Sequence, residues 1–365
     1  MTIAPGAPAR TFPSATGVAS GFDWPRIVKI MLLSRAIDAI EETELYPNKQ
    51  IAYQFSARGH ELGQVLLGSL LDRSHDAASA YYRSRPLLLT LGLSVDDALA
   101  APLGRSGGFS DGRDIGVVCN LPNPKGPVVL PMAGDVGSQY TPSSGWAEAI
   151  QYHEFVLGNS DYEGCIAVVL GGEGSVATNG FWSALTMATT LSLPQLFFIE
   201  DNGYAISVPS DKQTPGGNIA ENLRSFRHLH LLECDGTDPI DAAERIREAV
   251  QHVRLGRSPA LIRLEVPRLA GHSGQDTQAY KPAEELAAEQ TRDPLPRLKA
   301  YLVPTVLSEA AWNELAAAAD AEVREALGRA LNRPEPDPRT IARFRFVEHD
   351  EAGEEISAMR GGLPL

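Results

Sequence analysis

The stretch Cys165-Ile-Ala-Val-Val-Leu170, followed directly by Gly171-Gly-Glu-Gly-Ser175, decides the fold of this chain. A short run that is apolar throughout is typical of a strand buried on both faces of a parallel sheet. The pattern then predicts a helix from Asn179 to Leu191, which ends before Pro194, and a second buried strand at Leu196–Ile199. Together they predict a βαβ unit with a loop after the carboxyl end of each strand, where open α/β sheets bind ligands.

Helical periodicity on both sides of this unit predicts an α/β fold, in which a parallel sheet is flanked by helices and carries N-terminal and C-terminal helical extensions. The Gly-, Pro- and Ser-rich segment from Gly104 to Gly145 is predicted to be a loop, and loops of that length are commonly functional. The remaining predicted helices are Phe22–Leu45, Gly59–Leu71, Tyr81–Ala100, Pro239–Leu255 and Ala283–Leu331, and a further strand is predicted at Ala260–Val266.

The chain is acidic: its 365 residues include 32 Lys and Arg against 46 Asp and Glu, a formal net charge of −14. This charge argues against nucleic acid or an anionic membrane as a partner, because both attract cationic proteins. The three cysteines, Cys119, Cys165 and Cys234, are too few and too far apart for a disulfide framework. No apolar run approaches the roughly 18–20 residues of a membrane span, and the N-terminus lacks the features of a signal peptide. We therefore expect a cytoplasmic protein.

The glycine-rich turn has two interpretations, and the first is a dinucleotide site. Gly172-Glu-Gly-Ser-Val-Ala177 matches the pattern G-x-G-x-x-A, and Glu200 and Asp201 end the next strand, where a ribose-binding acid belongs. The helix, however, is predicted to begin only at Asn179, whereas a Rossmann turn opens directly into its helix. An NAD(P)-dependent oxidoreductase is therefore kept as one alternative.

The second interpretation takes the loops after both strands together. Glu173 and Asn202 are 29 positions apart and each follows a predicted strand, so adjacent parallel strands would bring both side chains to one crevice. A carboxylate, an amide oxygen and a backbone carbonyl form half an octahedron of hard oxygen ligands, which suits a Mg²⁺ ion that also binds phosphate oxygens. Gly172 and Gly174 allow a diphosphate to approach the backbone closely.

A glycine–acid–glycine turn followed by Asn202-Gly-Tyr-Ala-Ile-Ser207 resembles the thiamine diphosphate motif. Over residues 22–336, the chain is similar to alpha subunits of the decarboxylating component of 2-oxoacid dehydrogenase complexes. Several motifs in the same order are more specific than one glycine turn. The other motifs that carry the resemblance are Arg58-Gly-His-Glu61 with Gln64, Tyr82-Arg83, Phe181-Trp-Ser-Ala-Leu185 and Arg268-Leu-Ala-Gly-His-Ser273.

The resemblance implies a division of the chain into four parts. Residues 76–282 would form the thiamine diphosphate-binding α/β domain, which holds the diphosphate and Mg²⁺. A flexible arm over residues 1–21 and a helical segment over residues 22–75 would precede it. A C-terminal helical extension and tail over residues 283–365 would follow.

The resemblance also implies roles for single residues. Glu173, Asn202 and the Tyr204 carbonyl would hold Mg²⁺, and His272 would be the catalytic residue. The other histidines, His60 among them, show no metal-ligand spacing, and we interpret them as structural. The residues implied to bind the cofactor are Tyr82, Arg83, Val136, Gly172, Gly174, Ser175, Ala205 and His272. Ser273 matches a position that is phosphorylated in mitochondrial relatives.

The implied function is that of an alpha subunit that oxidatively decarboxylates a 2-oxo acid and passes the acyl group to a lipoyl-bearing acyltransferase. Glu at position 173, where Asp is usual, favours the branched-chain (2-oxoisovalerate) type. Pyruvate or acetoin dehydrogenase, or a non-catalytic subunit of the same fold, are the alternatives. A beta subunit would complete the active site, in an assembly of two alpha and two beta subunits. Glu200 stands where branched-chain relatives often carry Arg, which raises the question of how a diphosphate is held beside Glu200 and Asp201.

Overall fold

The computed structural model describes residues 19–341 except 119, 124 and 125. Cys119, most of the predicted N-terminal arm and the end of the predicted C-terminal tail therefore lie outside the described residues. In the described ranges, no helix is long and apolar enough to cross a membrane.

A parallel sheet forms the centre of the molecule. Its strands are β1 (Ala77–Ser79), β2 (Val128–Val129), β3 (Ala167–Gly172), β4 (Gln195–Asp201), β7 (His230–Asp235) and β8 (Ala260–Glu265), and a separate antiparallel hairpin is formed by β5 (Tyr204–Ala205) and β6 (Val208–Pro209). The strand order in the parallel sheet is β2-β1-β3-β4-β8-β7. The predicted βαβ unit is confirmed, because β3 and β4 are neighbours and pair in parallel from Ala167↔Gln195 to Gly172↔Glu200.

Helices surround the sheet, and most begin near the predicted residues. The helices are α1 (Trp24–Ile40), α2 (Glu61–Gly68), α3 (Arg85–Thr90), α4 (Val95–Ala100), α5 (Tyr140–Phe155), α6 (Asn179–Leu191), α7 (Ile219–Asn222), α8 (Pro239–Gly256), α9 (Ala283–Thr291), α10 (Pro294–Leu302) and α11 (Glu309–Leu331). A π-helical turn, Glu41–Leu45, extends α1. The prediction for α6 is confirmed at both ends: Thr178 caps its first turn, and Ser192 ends it in the left-handed conformation.

Three predicted elements differ from the structure. Tyr81–Ala100 is not one helix, because Gly92 adopts a φ of +108° between α3 and α4. The long C-terminal helix is divided into α9, α10 and α11; Pro294 begins α10 and Ser308 caps α11. The segment predicted as a loop up to Gly145 already contains β2 and the first turn of α5.

The two central strands are buried on both faces, as the apolar runs predict. Their side chains alternate between two apolar layers, so each layer packs against helices on one side of the sheet. One layer contains Val168, Leu170, Leu196 and Phe198 together with residues of α1, α2, α8 and α11. The other contains Ala167, Val169, Phe197 and Ile199 together with residues of α5, α6 and α7. Full burial of a side chain the size of Phe197 contributes about 1.5–3 kcal/mol. The predicted fold class is confirmed.

Asp76 anchors the amino edge of the sheet, opposite the predicted site. It is fully buried directly before β1. The Arg254 guanidinium donates to both of its carboxylate oxygens, at 3.2 and 2.9 Å. Backbone N–H groups of Asp72, Arg73 and Ile166 donate to it as well. The charge of this buried acid is therefore fully compensated within the protein.

Candidate active site

The candidate site lies where β3 and β4 end. After Gly172 the chain forms a 3₁₀ turn, Glu173–Ala177, before α6 begins. Gly174 has no room for a side chain, because a Cβ there would collide with Ala205 of the β5–β6 hairpin. At Gly172, by contrast, a Cβ would lie 3.7 Å from the Glu200 carbonyl oxygen, its nearest neighbour. The turn is thus packed against the hairpin at Gly174 and open at Gly172.

Glu173 is buried with half of its carboxyl group unused. The side chain is 3% exposed. Its Oε2 accepts a hydrogen bond of 3.2 Å from the Asn202 backbone N–H, whereas Oε1 has no partner among the described residues. Burial, together with the negative charge of Asp201, raises the pKa of Glu173 to about 8. An acid in this state has a strong preference for a cation or a proton at its free oxygen.

Asn202 and Tyr204 lie directly beside Glu173. The Asn202 side-chain Oδ1 accepts a hydrogen bond of 3.2 Å from the Tyr204 backbone N–H. Tyr204 pairs across the hairpin with Pro209, which has no N–H to donate to the Tyr204 carbonyl. The three residues predicted to hold a metal are therefore brought together, with oxygen atoms from a carboxylate, an amide and a backbone carbonyl.

The two acids at the end of β4 are both compensated inside the protein. Glu200 is fully buried and accepts hydrogen bonds from Gln64 Nε2, at 3.0 and 3.1 Å, and from Tyr81 Oη, at 2.9 Å. Asp201 accepts one of 2.7 Å from Arg263 Nε. Glu200 therefore points toward α2, which answers the question that the sequence raised about two acids beside a diphosphate. Neither acid presents an unpartnered charge to the crevice.

His272 lies beside the predicted diphosphate residues. Its ring packs edge-on against Tyr82 and Phe55, with ring centroids 5.7 and 5.9 Å away. Arg83 donates to the His272 carbonyl at 3.1 Å and to the Ser56 carbonyl. Burial, and then the positive charges of Arg83 and Arg268, lower the pKa of His272 to about 4. At neutral pH the imidazole is therefore uncharged and keeps one nitrogen free to accept a proton.

Arg268 and Asp276, which flank His272 in sequence, hold its loop against the hairpin. The Asp276 carboxylate accepts from the His272 backbone N–H at 2.6 Å and from Tyr280 Oη at 2.7 Å. Arg268 is buried and donates to the Ile206 carbonyl at 2.9 Å. The motif that carries the resemblance includes Arg268, but the sequence analysis missed Phe55 and Tyr280, because a single aromatic residue in a loop carries no spacing pattern.

The predicted site residues fall into two groups. The first surrounds Glu173, and the second comprises Tyr82, Arg83 and His272. Gln64 lies between them, since its Nε2 donates to the Arg83 carbonyl and to Glu200, which is two residues before Asn202. The first group contains Gly172, Glu173, Gly174, Ser175, Asn202, Tyr204 and Ala205.

Two predicted residues need separate description. Ser175 Oγ donates to the Gly172 carbonyl and lies 2.6 Å from Tyr140 Oη, so its hydroxyl hydrogen is not available to a ligand. Val136 is 63% exposed. Its neighbour Gly137 packs closely against Thr178, so this segment borders the start of α6.

In the described part of the chain, no group of three or more His, Cys, Asp or Glu side chains is arranged to hold a metal. The set at Glu173 is of another kind, because it contains one carboxylate and two neutral oxygen donors. Such a set suits a hard cation that takes its remaining ligands from phosphate and water.

Comparison with known proteins places the chain in a family. The sequence model of the family described as "Dehydrogenase E1 component" matches residues 28–339. The chain belongs to this family. It is 29% identical over 328 residues to the 2-oxoisovalerate dehydrogenase subunit alpha of Bacillus subtilis, covering 88% of this chain and 94% of the relative. It is 25% identical over 321 residues to the pyruvate dehydrogenase E1 component subunit alpha of Porphyra purpurea, covering 87% and 91%.

These comparisons confirm the resemblance to alpha subunits of 2-oxoacid dehydrogenases that the motifs indicate. The family is one of oxidoreductases, and membership in it implies thiamine diphosphate as the cofactor. It also favours the diphosphate interpretation of the glycine turn over the dinucleotide one. The geometry agrees, because the glycines lead into a 3₁₀ turn and not directly into α6.

Proposed function

We propose that this chain is the alpha subunit of a branched-chain 2-oxoacid dehydrogenase that uses thiamine diphosphate and Mg²⁺ and delivers the acyl group to a lipoyl-bearing acyltransferase. One observation carries the proposal. A buried glutamate, Glu173, has a free oxygen at the carboxyl edge of a parallel sheet, next to Asn202 and Tyr204 and beside the open face of Gly172.

The residues at this edge fit a magnesium ion. Glu173 Oε1, Asn202 Oδ1 and the Tyr204 carbonyl are hard oxygen donors, and Mg²⁺ prefers such ligands together with phosphate oxygens. A cation at Glu173 Oε1 would satisfy a buried carboxylate oxygen that has no partner among the described residues. It would also replace the proton that the raised pKa of Glu173 retains at neutral pH.

Tyr82 and Arg83 are proposed to hold the diphosphate. Arg83 is buried and donates to two backbone carbonyls, which fixes its position. A guanidinium has five N–H groups, so others remain for phosphate oxygens. Asp201, the nearest acid of β4 to Glu173, is neutralised by Arg263 and does not oppose an anion.

Thiamine diphosphate, when bound, supplies the chemistry that removes CO₂ from a 2-oxo acid, and the protein supplies binding and orientation. His272 is proposed to accept and return a proton at its unprotonated ring nitrogen, because it is neutral at physiological pH. Tyr82 and Phe55 pack against this ring and exclude water from that side. Asp276 holds the loop that presents His272.

Two observations support a branched-chain substrate. The acid of the glycine turn is Glu173, and the Bacillus subtilis relative that shares 29% identity is named for 2-oxoisovalerate. Relatives named for pyruvate share 24–26% identity over comparable lengths. Pyruvate is therefore the second candidate substrate, and acetoin the third.

A beta subunit is the proposed partner, in an assembly of two alpha and two beta subunits. Val136 and Ile206, on segments that border the Glu173 turn, are 63% and 59% exposed. Large apolar side chains exposed beside a site favour a protein surface that covers them. Cys165 and Cys234 are free thiols, which is consistent with the cytoplasmic location that we propose.

The proposal is tested by co-expressing the chain with its beta subunit and measuring 2-oxoacid-dependent reduction of an artificial electron acceptor. The assay compares 2-oxoisovalerate, pyruvate, 2-oxoglutarate and acetoin, with and without thiamine diphosphate and Mg²⁺. We expect turnover that requires both additions and is fastest with 2-oxoisovalerate. Turnover independent of both would contradict the cofactor assignment. Tight cofactor binding without turnover would indicate a non-catalytic subunit.

A further inference from the structure

His60 lies between a buried acid and a proposed metal ligand. It is 1% exposed and directly precedes α2. Its Nδ1 lies 3.3 Å from Glu200 Oε1, and its Nε2 lies 3.4 Å from Asn202 Nδ2. We propose that the Glu200–His60 pair is a positioning device that sets the Asn202 amide with Oδ1 facing the metal. This inference rests on the function proposed above.

The chemistry of the three groups fixes the direction of each hydrogen bond. An ionised carboxylate can only accept, so the His60 nitrogen facing Glu200 carries the proton. The Asn202 NH₂ group, which is a donor, faces the other nitrogen, Nε2, and Nε2 is therefore the acceptor of the ring. Nε2 therefore selects the NH₂ end of the Asn202 amide.

The opposite end of the same amide is fixed independently. Asn202 Oδ1 accepts from the Tyr204 backbone N–H at 3.2 Å. A flipped amide would direct its NH₂ toward this N–H and its oxygen toward the lone pair of His60 Nε2. Both contacts would be repulsive, so the amide has one favoured orientation before any metal binds. Asn202 Oδ1 consequently lies on the same side as the Tyr204 backbone.

Glu200 is held firmly enough to control His60. Gln64 Nε2 donates to both of its oxygens and Tyr81 Oη to one, and the carboxylate is fully buried. Gln64 also donates to the Arg83 carbonyl at 3.2 Å. The same acid therefore connects the proposed metal ligand Asn202 with the proposed diphosphate ligand Arg83. In the sequence, Glu200 raised the question of a negative charge beside a diphosphate. In the structure it is the fixed end of the hydrogen bonds that run through His60 to Asn202.

The test uses Glu200→Gln in the full chain purified with its beta subunit. The new amide can direct its NH₂ toward His60 Nδ1, which would move the ring proton to Nε2 and oppose the Asn202 NH₂. Mn²⁺ is the probe for the metal, and its affinity with thiamine diphosphate present is measured by electron paramagnetic resonance. We expect an affinity about 10- to 100-fold weaker than wild type, as is usual when a residue that orients a metal ligand is changed.

A second measurement reports the hydrogen-bond direction itself. In the metal-free wild-type protein, ¹⁵N chemical shifts of labelled histidine should show His60 protonated at Nδ1, and in Glu200→Gln at Nε2. His60→Leu should lower the affinity for Mn²⁺ to a similar extent. His252→Leu, at a partly exposed histidine on α8, is the matched control and should leave the affinity unchanged.

The outcomes separate this inference from the proposed function. Wild-type protein that binds Mn²⁺, with unchanged affinity in both Glu200→Gln and His60→Leu, overturns the role of His60 alone. Protonation of His60 at Nε2 in the wild type also overturns it. Wild-type protein that binds neither thiamine diphosphate nor Mn²⁺ contradicts the proposed function, and the inference falls with it. Because thermal unfolding is recorded for each variant, a weakened affinity counts as support only where the variant remains folded.

Discussion

The amino and carboxyl edges of the sheet each contain a buried acid, and the two acids differ in how many hydrogen-bond partners the protein gives them. At the amino edge, Asp76 accepts from the Arg254 guanidinium and from three backbone N–H groups. At the carboxyl edge, Glu173 accepts from one backbone N–H and leaves Oε1 without a partner among the described residues. A carboxylate whose two oxygens are both paired within the protein stabilises the fold. A carboxylate with an unpaired oxygen can bind a ligand through that oxygen.

The largest expected effect is the loss of magnesium-dependent cofactor binding in Glu173→Gln. The amide keeps the size of the side chain but removes the charge, so thiamine diphosphate affinity in Mg²⁺ should fall by more than the roughly 10- to 100-fold typical of an outer partner. The free energy of unfolding should change by less than about 1 kcal/mol. Calorimetric titration and urea denaturation measure the two quantities. A large loss of unfolding free energy with unchanged thiamine diphosphate affinity would contradict the assignment, because Glu173 would then serve stability and not cofactor binding.

Asp76→Asn should show the opposite pattern. It leaves Arg254 without its buried partner, and breaking such a pair costs about 3–5 kcal/mol of the free energy of unfolding. Magnesium dependence of cofactor binding should be unchanged in the protein that remains folded. The matched control is Asp72→Asn, since Asp72 also approaches Arg254, at 3.4 Å, but is 75% exposed. This control should cost less than about 1 kcal/mol. Equal costs for the two variants would contradict the role given to Asp76.

The two glycines of the turn separate an effect on stability from an effect on cofactor binding within the carboxyl edge. Gly174→Ala places a methyl group against Ala205, and overpacking of this kind costs about 1–3 kcal/mol. Gly172→Ala meets only ordinary contacts, with the Glu200 carbonyl oxygen 3.7 Å away. The Gly172→Ala variant should fold normally and bind thiamine diphosphate more weakly than wild type, because the methyl group occupies the open face. Thermal unfolding and calorimetry of the pair distinguish these effects, and normal cofactor affinity in Gly172→Ala would refute the proposed approach of the diphosphate.

The smallest expected effect is a pH dependence that belongs to His272. Its pKa is lowered from the ordinary 6.5 to about 4, so the folded protein binds this proton less readily than the unfolded chain. Its stabilising contribution is complete above pH 6.5 and is lost as the pH falls toward 4. In His272→Gln, the loss of unfolding free energy between pH 7 and pH 5 should be smaller than in wild type. Equal losses in the two proteins, measured by urea denaturation at each pH, would contradict this assignment.

The sequence predicts the centre of the fold well, because β3, α6 and β4 each carry a strong local pattern. Strands such as β7 were missed, since His230–Asp235 lies at the edge of the sheet and is only partly buried. Tyr81–Ala100 was predicted as one helix because its apolar residues continue through Gly92, whose backbone conformation ends α3.

The candidate site was predictable where residues follow a motif and not where they act through tertiary contacts. Glu173 and Asn202 come together because their strands are neighbours, which the βαβ pattern already indicates. His60, which the sequence leaves as a structural histidine, lies between Glu200 and Asn202, and its proposed positioning role depends on these two contacts. Those residues are 140 and 142 positions from His60 along the chain, and no spacing rule connects them.

The central claim is that Glu173 binds a magnesium ion that also binds the diphosphate of the cofactor. The most direct test is a calorimetric titration of thiamine diphosphate into the chain purified with its beta subunit, in Mg²⁺ and in a chelator. We predict tight binding in Mg²⁺ that is lost in the chelator, and loss of the Mg²⁺ effect in Glu173→Gln. Equal binding in Mg²⁺ and chelator, or a Mg²⁺ effect that survives Glu173→Gln, would contradict the account.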